Sequence, residues 1–281
     1  MNIPTCICGQ LLPQPATGRT RTYCSDACRQ RAYRERREFH NKTNVTKPHL
    51  DLIVCAGGNR EFLQVASQTG YLLGLRSGYA SYGYDIQFVD SEYHRPNFER
   101  HLKTVMKYRP KYAVVPDLSD QSVSPADIER AMKQYEQLSQ YCQIPLIVPK
   151  LPGQIAKLPA DIAIGYSVKS TYGGARYDLW ELQGRRAHLL GGSPGDQMEV
   201  FRQLAGRANV LSADGNMAMG TARNFAQYWE GGWVDHPEKG SDKSLYLECW
   251  RASCENIRRE WETLVDLQPL VVQQPLFGGV L

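Results

Sequence analysis

The feature that most constrains the fold of this sequence is a repeated alternation, from residue 50 onward, of short apolar runs with amphipathic stretches. The amphipathic stretches, such as Asn97–Tyr108, Pro125–Tyr141 and Asp196–Leu204, carry apolar residues near helical spacing. Strands that alternate with helices at this pitch predict a parallel sheet covered by helices. Eight candidate strands within about 160 residues favour an α/β fold of the closed (β/α)8, TIM-like type over an open doubly wound sheet. The candidate strands are Asp51–Ala56, Tyr71–Leu75, Ile86–Val89, Tyr112–Val115, Pro145–Val148, Asp161–Gly165, His188–Leu190 and Asn209–Leu211.

The charge of the chain is unevenly distributed. Residues 1–48 hold 9 Lys and Arg against 3 Asp and Glu, whereas the remaining residues hold 24 against 26, within a formal net charge of +4. We therefore expect a basic appendage in front of a nearly neutral barrel. The predicted organisation is a small zinc-binding domain with a basic helix at residues 1–37, a polar linker at 38–49, the barrel at 50–265 and a C-terminal tail at 266–281.

Half of the eight cysteines lie in the first 28 residues, in a C-x-C and a C-x3-C pair. An appendage this short cannot fold by burial of apolar surface alone. Two close pairs of sulfur ligands separated by a turn-rich loop suit a tetrahedral structural zinc ion. Two disulfides or unlinked thiols are the alternatives, and disulfides are typical of secreted proteins. The expected zinc ligands are Cys6, Cys8, Cys24 and Cys28.

The second cysteine pair opens a predicted helix, with Ser25 or Asp26 as its N-cap. Five arginines surround this helix. A solvated charged surface is one interpretation, but arginines fixed to a metal site are better explained by contacts with phosphates, which give affinity without reading sequence. The predicted nucleic-acid-binding residues are Arg29, Arg31, Arg34, Arg36 and Arg37.

Composition and local patterns exclude several classes. A mean hydropathy of −0.46 with charges throughout leaves no apolar run long enough for a membrane span, so no membrane partner is expected. The segment from Met1 to Cys8 lacks the basic start and the apolar core of a secretory signal, which predicts a cytoplasmic protein. The loop Cys55–Arg60 lacks the glycine patterns of nucleotide-binding loops, so no dinucleotide cofactor is expected.

The reactive groups of such a barrel stand where strands end and the following loops begin. Asp90, Asp117 and Asp214 occupy such positions, and a Gly191-Gly192 turn occupies another. Each residue alone is also an ordinary turn or helix-capping residue. Three aspartates that converge on one face can share proton transfer and nucleophilic attack, because a carboxylate can form a covalent intermediate at an anomeric carbon. Two consecutive glycines let backbone N–H groups approach a planar ligand closely.

Further candidates for contact with a nucleic acid lie in or near the loops. Tyrosines offer faces on which bases stack, and cations offer charges that meet phosphates, although many of these residues are ordinary packing or solvated residues. The tyrosines are Tyr79, Tyr82, Tyr84, Tyr93, Tyr166 and Tyr172, and the cations are Lys169, Arg176, Arg185 and Arg186. His188 is expected to be a packed, hydrogen-bonded histidine rather than a catalytic base.

Three segments of the barrel resemble the tRNA-guanine transglycosylase superfamily, and most closely its phage and bacterial 7-deazaguanine DNA transglycosylases. They are FVDS at Phe88–Ser91, HLLGGSP at His188–Pro194 and ADGNMAMGTAR at Ala213–Arg223. The N-terminal string GRTRTYCSDACRQRAYRERR also resembles a small zinc-binding motif of bacterial and phage proteins. These resemblances imply that the protein is located in the cytoplasm of a bacterium or of a phage-infected host cell.

The resemblance implies a base exchange in which guanine in a polynucleotide is replaced by a 7-deazaguanine base. Asp214 would be the nucleophile on C1′ and Asp90 the aspartate on the side of the base. Gly191 and Gly192 would contact the deazaguanine, with Ser193 in the same turn, and Asp117 would bond its exocyclic amine and ring N–H. The polymer would be DNA, with tRNA as the alternative.

Two departures from the family pattern are visible. FVDS is followed by Glu92-Tyr93-His94 where the family has Gly-Gly-Phe. Cys249 and Cys254, on the predicted helix Leu245–Leu264, have no second pair to complete the family's C-terminal zinc site and are interpreted as ordinary helical cysteines. The N-terminal cysteines would then supply a substitute zinc-stiffened surface for the nucleic acid. Two other functional classes remain: a hydrolase of glycosidic bonds on the same barrel, and a non-catalytic, zinc-dependent DNA-binding protein.

Overall fold

The computed structural model describes residues 24, 25, 28, 50–55, 59–92, 95–170, 173–240 and 245–266. The chain divides into two compact units, Met1–Lys47 and Pro48–Leu281. Of the first unit only Cys24, Ser25 and Cys28 are described. The five predicted phosphate-binding arginines, Cys6, Cys8 and the tail from residue 267 therefore lie outside the described residues.

The second unit is an α/β barrel. Eight parallel strands close in chain order, since β1 pairs with both β2 and β8. All eight strands expected from the apolar runs are present, which confirms the predicted fold class for this unit. The strands are β1 Asp51–Val54, β2 Leu72–Arg76, β3 Phe88–Asp90, β4 Tyr112–Val114, β5 Ile144–Ile147, β6 Ala163–Ser167, β7 Arg186–Leu190 and β8 Asn209–Asp214.

Helices cover the outer face of the barrel. Pro125–Ser139 begins with proline at its first position, and Arg60–Gln68 is capped by Asn59, whose side chain accepts bonds from the N–H groups of Glu61 and Phe62. Short 3-10 turns, Ile155–Lys157 and Leu179–Leu182, stand in place of longer helices after β5 and β6. The described helices are α1 Arg60–Gln68, α2 Phe98–Tyr108, α3 Pro125–Ser139, α4 Pro194–Leu204, α5 Met217–Phe225 and α6 Leu245–Asp266.

A hairpin and the long helix α6 complete the unit. Strands β9 (Gln227–Trp229) and β10 (Trp233–Asp235) pair antiparallel, and the Trp229 backbone N–H donates to the Ser253 hydroxyl of α6. Cys249 and Cys254 are fully buried on α6, as expected of ordinary helical cysteines. No helix within the described part of the chain is both long and apolar enough to cross a membrane.

The barrel has two apolar layers. One lies between the strands and the helices, where Phe62, Trp250 and Trp261 are almost fully buried. The other fills the barrel interior and includes Ile53, Phe88 and Leu146. Polar side chains interrupt this inner layer along β1, β7 and β8, and they lead to the site described next.

Candidate active site

The three predicted aspartates come together at the carboxyl ends of the strands. Asp90 is the last residue of β3, Asp214 is the last residue of β8, and Asp117 follows β4 by three positions. They are near enough that the charges of Asp214 and Asp117 both act on Asp90. The barrel topology therefore places on one face three carboxyl groups that are far apart in sequence.

Asp90 has a strongly altered acidity. Burial raises the pKa of Asp90 from 3.8 to about 8, and the charges of Asp214 and Asp117 also raise it. A hydrogen bond from the Ser91 backbone and the charge of Arg76 oppose this rise. At neutral pH, Asp90 is therefore a protonated acid that can donate a proton.

Asp214 is buried and held by two hydrogen bonds on one oxygen. Its Oδ1 lies 3.1 Å from Nε2 of His188 and accepts a bond of 3.4 Å from the Gly191 N–H. Within the described residues, no side chain or backbone N–H bonds to Oδ2. The geometry therefore fixes the carboxylate through Oδ1 and leaves Oδ2 without a hydrogen bond from the described residues.

The Gly191-Gly192 turn joins β7 to α4 beside Asp214. Both glycines have positive φ, 64° and 79°, a conformation that side chains rarely adopt. A Cβ on Gly192 would lie 2.5 Å from Cγ1 of Val168, whereas one on Gly191 would meet nothing within 4 Å. The turn thus requires glycine at 192 for space as well as for backbone conformation.

Gln197 supports this turn from α4. Its buried amide donates to the carbonyl of Gly191 at 2.7 Å and to that of Asp214. Sequence reasoning missed Gln197 because a glutamine in the first turns of a helix has no distinguishing spacing. Ser193, a predicted substrate-binding residue, is the N-cap of α4, where its hydroxyl accepts from the Asp196 N–H and donates to the Asp196 carboxylate.

Two ion pairs flank the aspartates. Lys150 lies 2.7 Å from Asp117, and Arg76, opposite Asp90 in the β2–β3 register, lies 3.6 Å from Glu92. Glu92 stands where the resembled family has glycine, and its carboxylate faces the arginine next to Asp90. The altered motif therefore has a carboxylate that pairs with Arg76 in place of a conformationally free glycine.

A buried cysteine lies on the same face. Cys55 directly follows β1, and burial together with the charges of Asp90 and Asp214 raises the pKa of its thiol well above the ordinary value. It is therefore a neutral thiol rather than a thiolate nucleophile.

The structure corrects several of the predicted nucleic-acid contacts. Arg185 and Arg186 lie at the start of β7, the opposite end of the barrel from the aspartates, where both donate to backbone carbonyls. Tyr166 is buried against Tyr177, with ring centroids 5.6 Å apart, so its face is not available to a base. Among the described tyrosines, Tyr79 and Tyr82 are 40% and 45% exposed. Tyr93 and Tyr172 lie outside the described residues.

Two of the four predicted zinc ligands are described. The sulfur atoms of Cys24 and Cys28 lie 3.4 Å apart, and the Ser25 hydroxyl accepts a bond from the Cys28 N–H, as an N-cap does. Two thiolates at Zn–S distances of about 2.3 Å in a tetrahedron lie roughly 3.8 Å apart, so these two sulfur atoms are slightly closer together than a shared zinc ion would hold them. In the part of the chain that the structure describes, no three His, Cys, Asp or Glu side chains are arranged so that they could hold a metal ion.

Comparison with models of protein families gives a match over most of the barrel unit. The model of a family described as a family of unknown function (DUF6610) matches residues 66–262, more than two thirds of the chain and entirely within the barrel unit. A comparison with curated proteins finds no match.

Proposed function

The chain belongs to a family of unknown function (DUF6610), and we propose that it is a guanine transglycosylase that exchanges guanine in DNA for a 7-deazaguanine base. One observation carries this proposal: a protonated carboxyl, Asp90, stands beside a hydrogen-bonded carboxylate, Asp214, at the mouth of the barrel. Two carboxyl groups with different environments can divide acid and nucleophile roles at one glycosidic bond.

In the first half of the exchange, Oδ2 of Asp214 attacks C1′ of the deoxyribose. The bond between C1′ and N9 breaks, and its electron pair leaves with the guanine. Asp90 donates its proton to the departing base, so a neutral guanine is released and Asp90 becomes a carboxylate.

In the second half, the carboxylate of Asp90 takes the proton from N9 of the incoming 7-deazaguanine. The N9 electron pair attacks C1′, and the bond between C1′ and Asp214 breaks. Both aspartates return to their starting states, so the exchange needs neither a cofactor nor an external acid.

The neighbouring residues suit a planar base. The backbone of Gly191 and Gly192 offers close approach, and Asp117, held by Lys150, offers carboxylate oxygens to an exocyclic amine and a ring N–H. Ser193 is proposed to contact the substrate only through its backbone, because its hydroxyl caps α4.

The N-terminal unit is proposed to bind the polymer. Arginines 29, 31, 34, 36 and 37 would meet phosphates, and a structural zinc ion on Cys6, Cys8, Cys24 and Cys28 would stiffen the surface that carries them. Contacts of this kind offset the few kcal/mol needed to take a base out of the stack.

The proposal is tested by incubating the full chain with labelled 7-deazaguanine bases and either duplex DNA or bulk tRNA. Label in DNA that is lost with Asp214→Asn, while DNA binding persists, supports the proposal. Label in tRNA alone contradicts the choice of polymer. Abasic product without label indicates a hydrolase, and DNA binding without any base release indicates a binding protein.

The zinc site is tested by elemental analysis of freshly purified protein that has not been exposed to a chelator. About one zinc per chain is expected. Cys24→Ser should abolish the zinc, whereas Cys142→Ser, at a buried cysteine of the barrel unit, should leave it unchanged. Absence of zinc from the unsubstituted chain contradicts the site.

A further inference from the structure

A column of polar side chains runs through the apolar interior of the barrel. Asp51 on β1 lies at the end opposite the aspartate site, where its Oδ2 accepts bonds of 2.6 Å from Lys111 and 2.7 Å from the Tyr112 hydroxyl. The Tyr112 hydroxyl, whose hydrogen goes to Asp51, lies close to Ser212, and the Ser212 hydroxyl lies 2.7 Å from Nδ1 of His188. Because Nε2 of His188 lies 3.1 Å from Asp214, the column ends at the proposed nucleophile.

The register of the last two strands brings His188 into this column. Ala187 pairs with Val210 but His188 pairs with Ser212, so β8 contains one extra residue, Leu211, at a bulge. Bulges redirect side chains and are frequent beside active sites. Here the bulge places His188 beside Ser212 and Asp214, two positions that share one face of β8.

Packing holds the imidazole ring in place. His188 is fully buried, and its ring stacks on Phe88 at a centroid distance of 5.2 Å and lies 6.2 Å from the ring of Tyr112. Buried polar groups are costly unless they are hydrogen-bonded, and both ring nitrogens have partners here. An apolar side chain would fill this position without that requirement.

The partners also select which nitrogen carries the hydrogen. A carboxylate can only accept, so the bond to Asp214 requires a hydrogen on Nε2. The hydroxyl of Ser212 can then donate to Nδ1, and a bond at one ring nitrogen sets the tautomer at the other.

We propose that His188 is a positioning residue for Asp214, that its Nε2–H holds Oδ1 so that Oδ2 faces C1′, and that Ser212 fixes the tautomer that makes this possible. This inference rests on the proposed function for the role of Asp214. The hydrogen-bond arrangement itself is independent of any activity.

A pair of substitutions separates positioning from packing. In His188→Gln, the side-chain amide reaches as far as Nε2 and still donates to Asp214. In His188→Asn, the amide reaches only as far as Nδ1, so it bonds to Ser212 alone. We expect His188→Asn to lower kcat for base exchange about 100-fold with KM little changed, and His188→Gln to stay within about tenfold of the unsubstituted chain. Equal losses in both variants would overturn the inference.

The tautomer is measured directly by two-bond ¹H–¹⁵N spectra of the full chain labelled with ¹⁵N-histidine. The chain has 6 histidines, and the signals of His188 are those missing from His188→Gln. We expect the hydrogen on Nε2, and a mixture of tautomers in Ser212→Ala. A hydrogen on Nδ1 alone contradicts the inference whatever the activity. A chain with the expected tautomer but no base exchange contradicts the proposed function and supports the hydrogen-bond arrangement.

Discussion

The environment that keeps the carboxyl group of Asp90 neutral lowers the free energy of unfolding. In the unfolded chain Asp90 ionises near its ordinary pKa of 3.8, whereas burial holds the pKa in the folded chain at about 8. Between these values the folded state retains a proton that the unfolded state has lost, so stability falls as pH rises through this window. The same proton is the one that the proposed mechanism gives to the leaving guanine.

Asp90→Asn is therefore expected to stabilise the protein as it inactivates it. Asparagine has no charge to bury, so the free energy of unfolding should exceed that of the unsubstituted chain by on the order of 5 kcal/mol at pH 8 and by on the order of 2 kcal/mol at pH 5. Urea unfolding at the two pH values measures this difference. Asp85→Asn, the same substitution at an exposed position on the β2–β3 loop, should show no such pH dependence. An equal gain from Asp90→Asn at both pH values contradicts the account.

Residues at strand ends could be found from the sequence, whereas interior polar residues could not. Asp90 and Asp214 stand out because each follows an apolar run. Asp51, Tyr112 and Ser212 lie within such runs on three different strands, and only the closed barrel brings them together. The prediction that His188 is packed and hydrogen-bonded is confirmed, but its bond to Asp214 depends on a bulge that no sequence pattern marked.

At the level of elements, apolar periodicity located all eight strands and the helices α2, α3, α4 and α6. The expectations did not include α1, α5 or the β9–β10 hairpin. Both missed helices have 9 residues, shorter than the window of about 11 residues over which helical periodicity is usually assessed. The hairpin strands have three residues each and depend on packing against α6.

The turn between β7 and α4 offers a test at this scale. Gly192→Ala combines a positive φ with a Cβ that would overlap Val168, and it should destabilise the fold by about 2–4 kcal/mol. Gly191→Ala, with positive φ but open space, should cost about 1 kcal/mol. Thermal unfolding measures both. In a chain that already carries Val168→Ala, Gly192→Ala should lower the free energy of unfolding by less than it does in the unsubstituted chain, because the overlap is relieved. An equal loss in both backgrounds would show that the overlap is not the cause.

At the scale of the whole molecule, the sequence predicts a division of charge between a basic N-terminal segment and a nearly neutral remainder. Replacing Arg29, Arg31, Arg34, Arg36 and Arg37 with glutamine should weaken DNA binding uniformly across sequences. It should also reduce the slope of log affinity against log salt by about 4.5, because each phosphate contact contributes about 0.9. Binding titrations at several salt concentrations measure the slope. An unchanged slope would assign these arginines to a solvated surface.

The central claim is that Asp214 forms a bond to C1′ of a nucleotide, and the most direct measurement is capture of that bond. The full chain is incubated with guanine-containing DNA in the absence of an incoming base, denatured, digested and analysed by mass spectrometry. The account predicts a DNA-linked peptide that carries the sugar on Asp214, absent from Asp214→Asn and still formed by Asp85→Asn, which alters an exposed aspartate outside the site. Guanine release with no linked peptide, or a linked peptide of undiminished yield from Asp214→Asn, would contradict it.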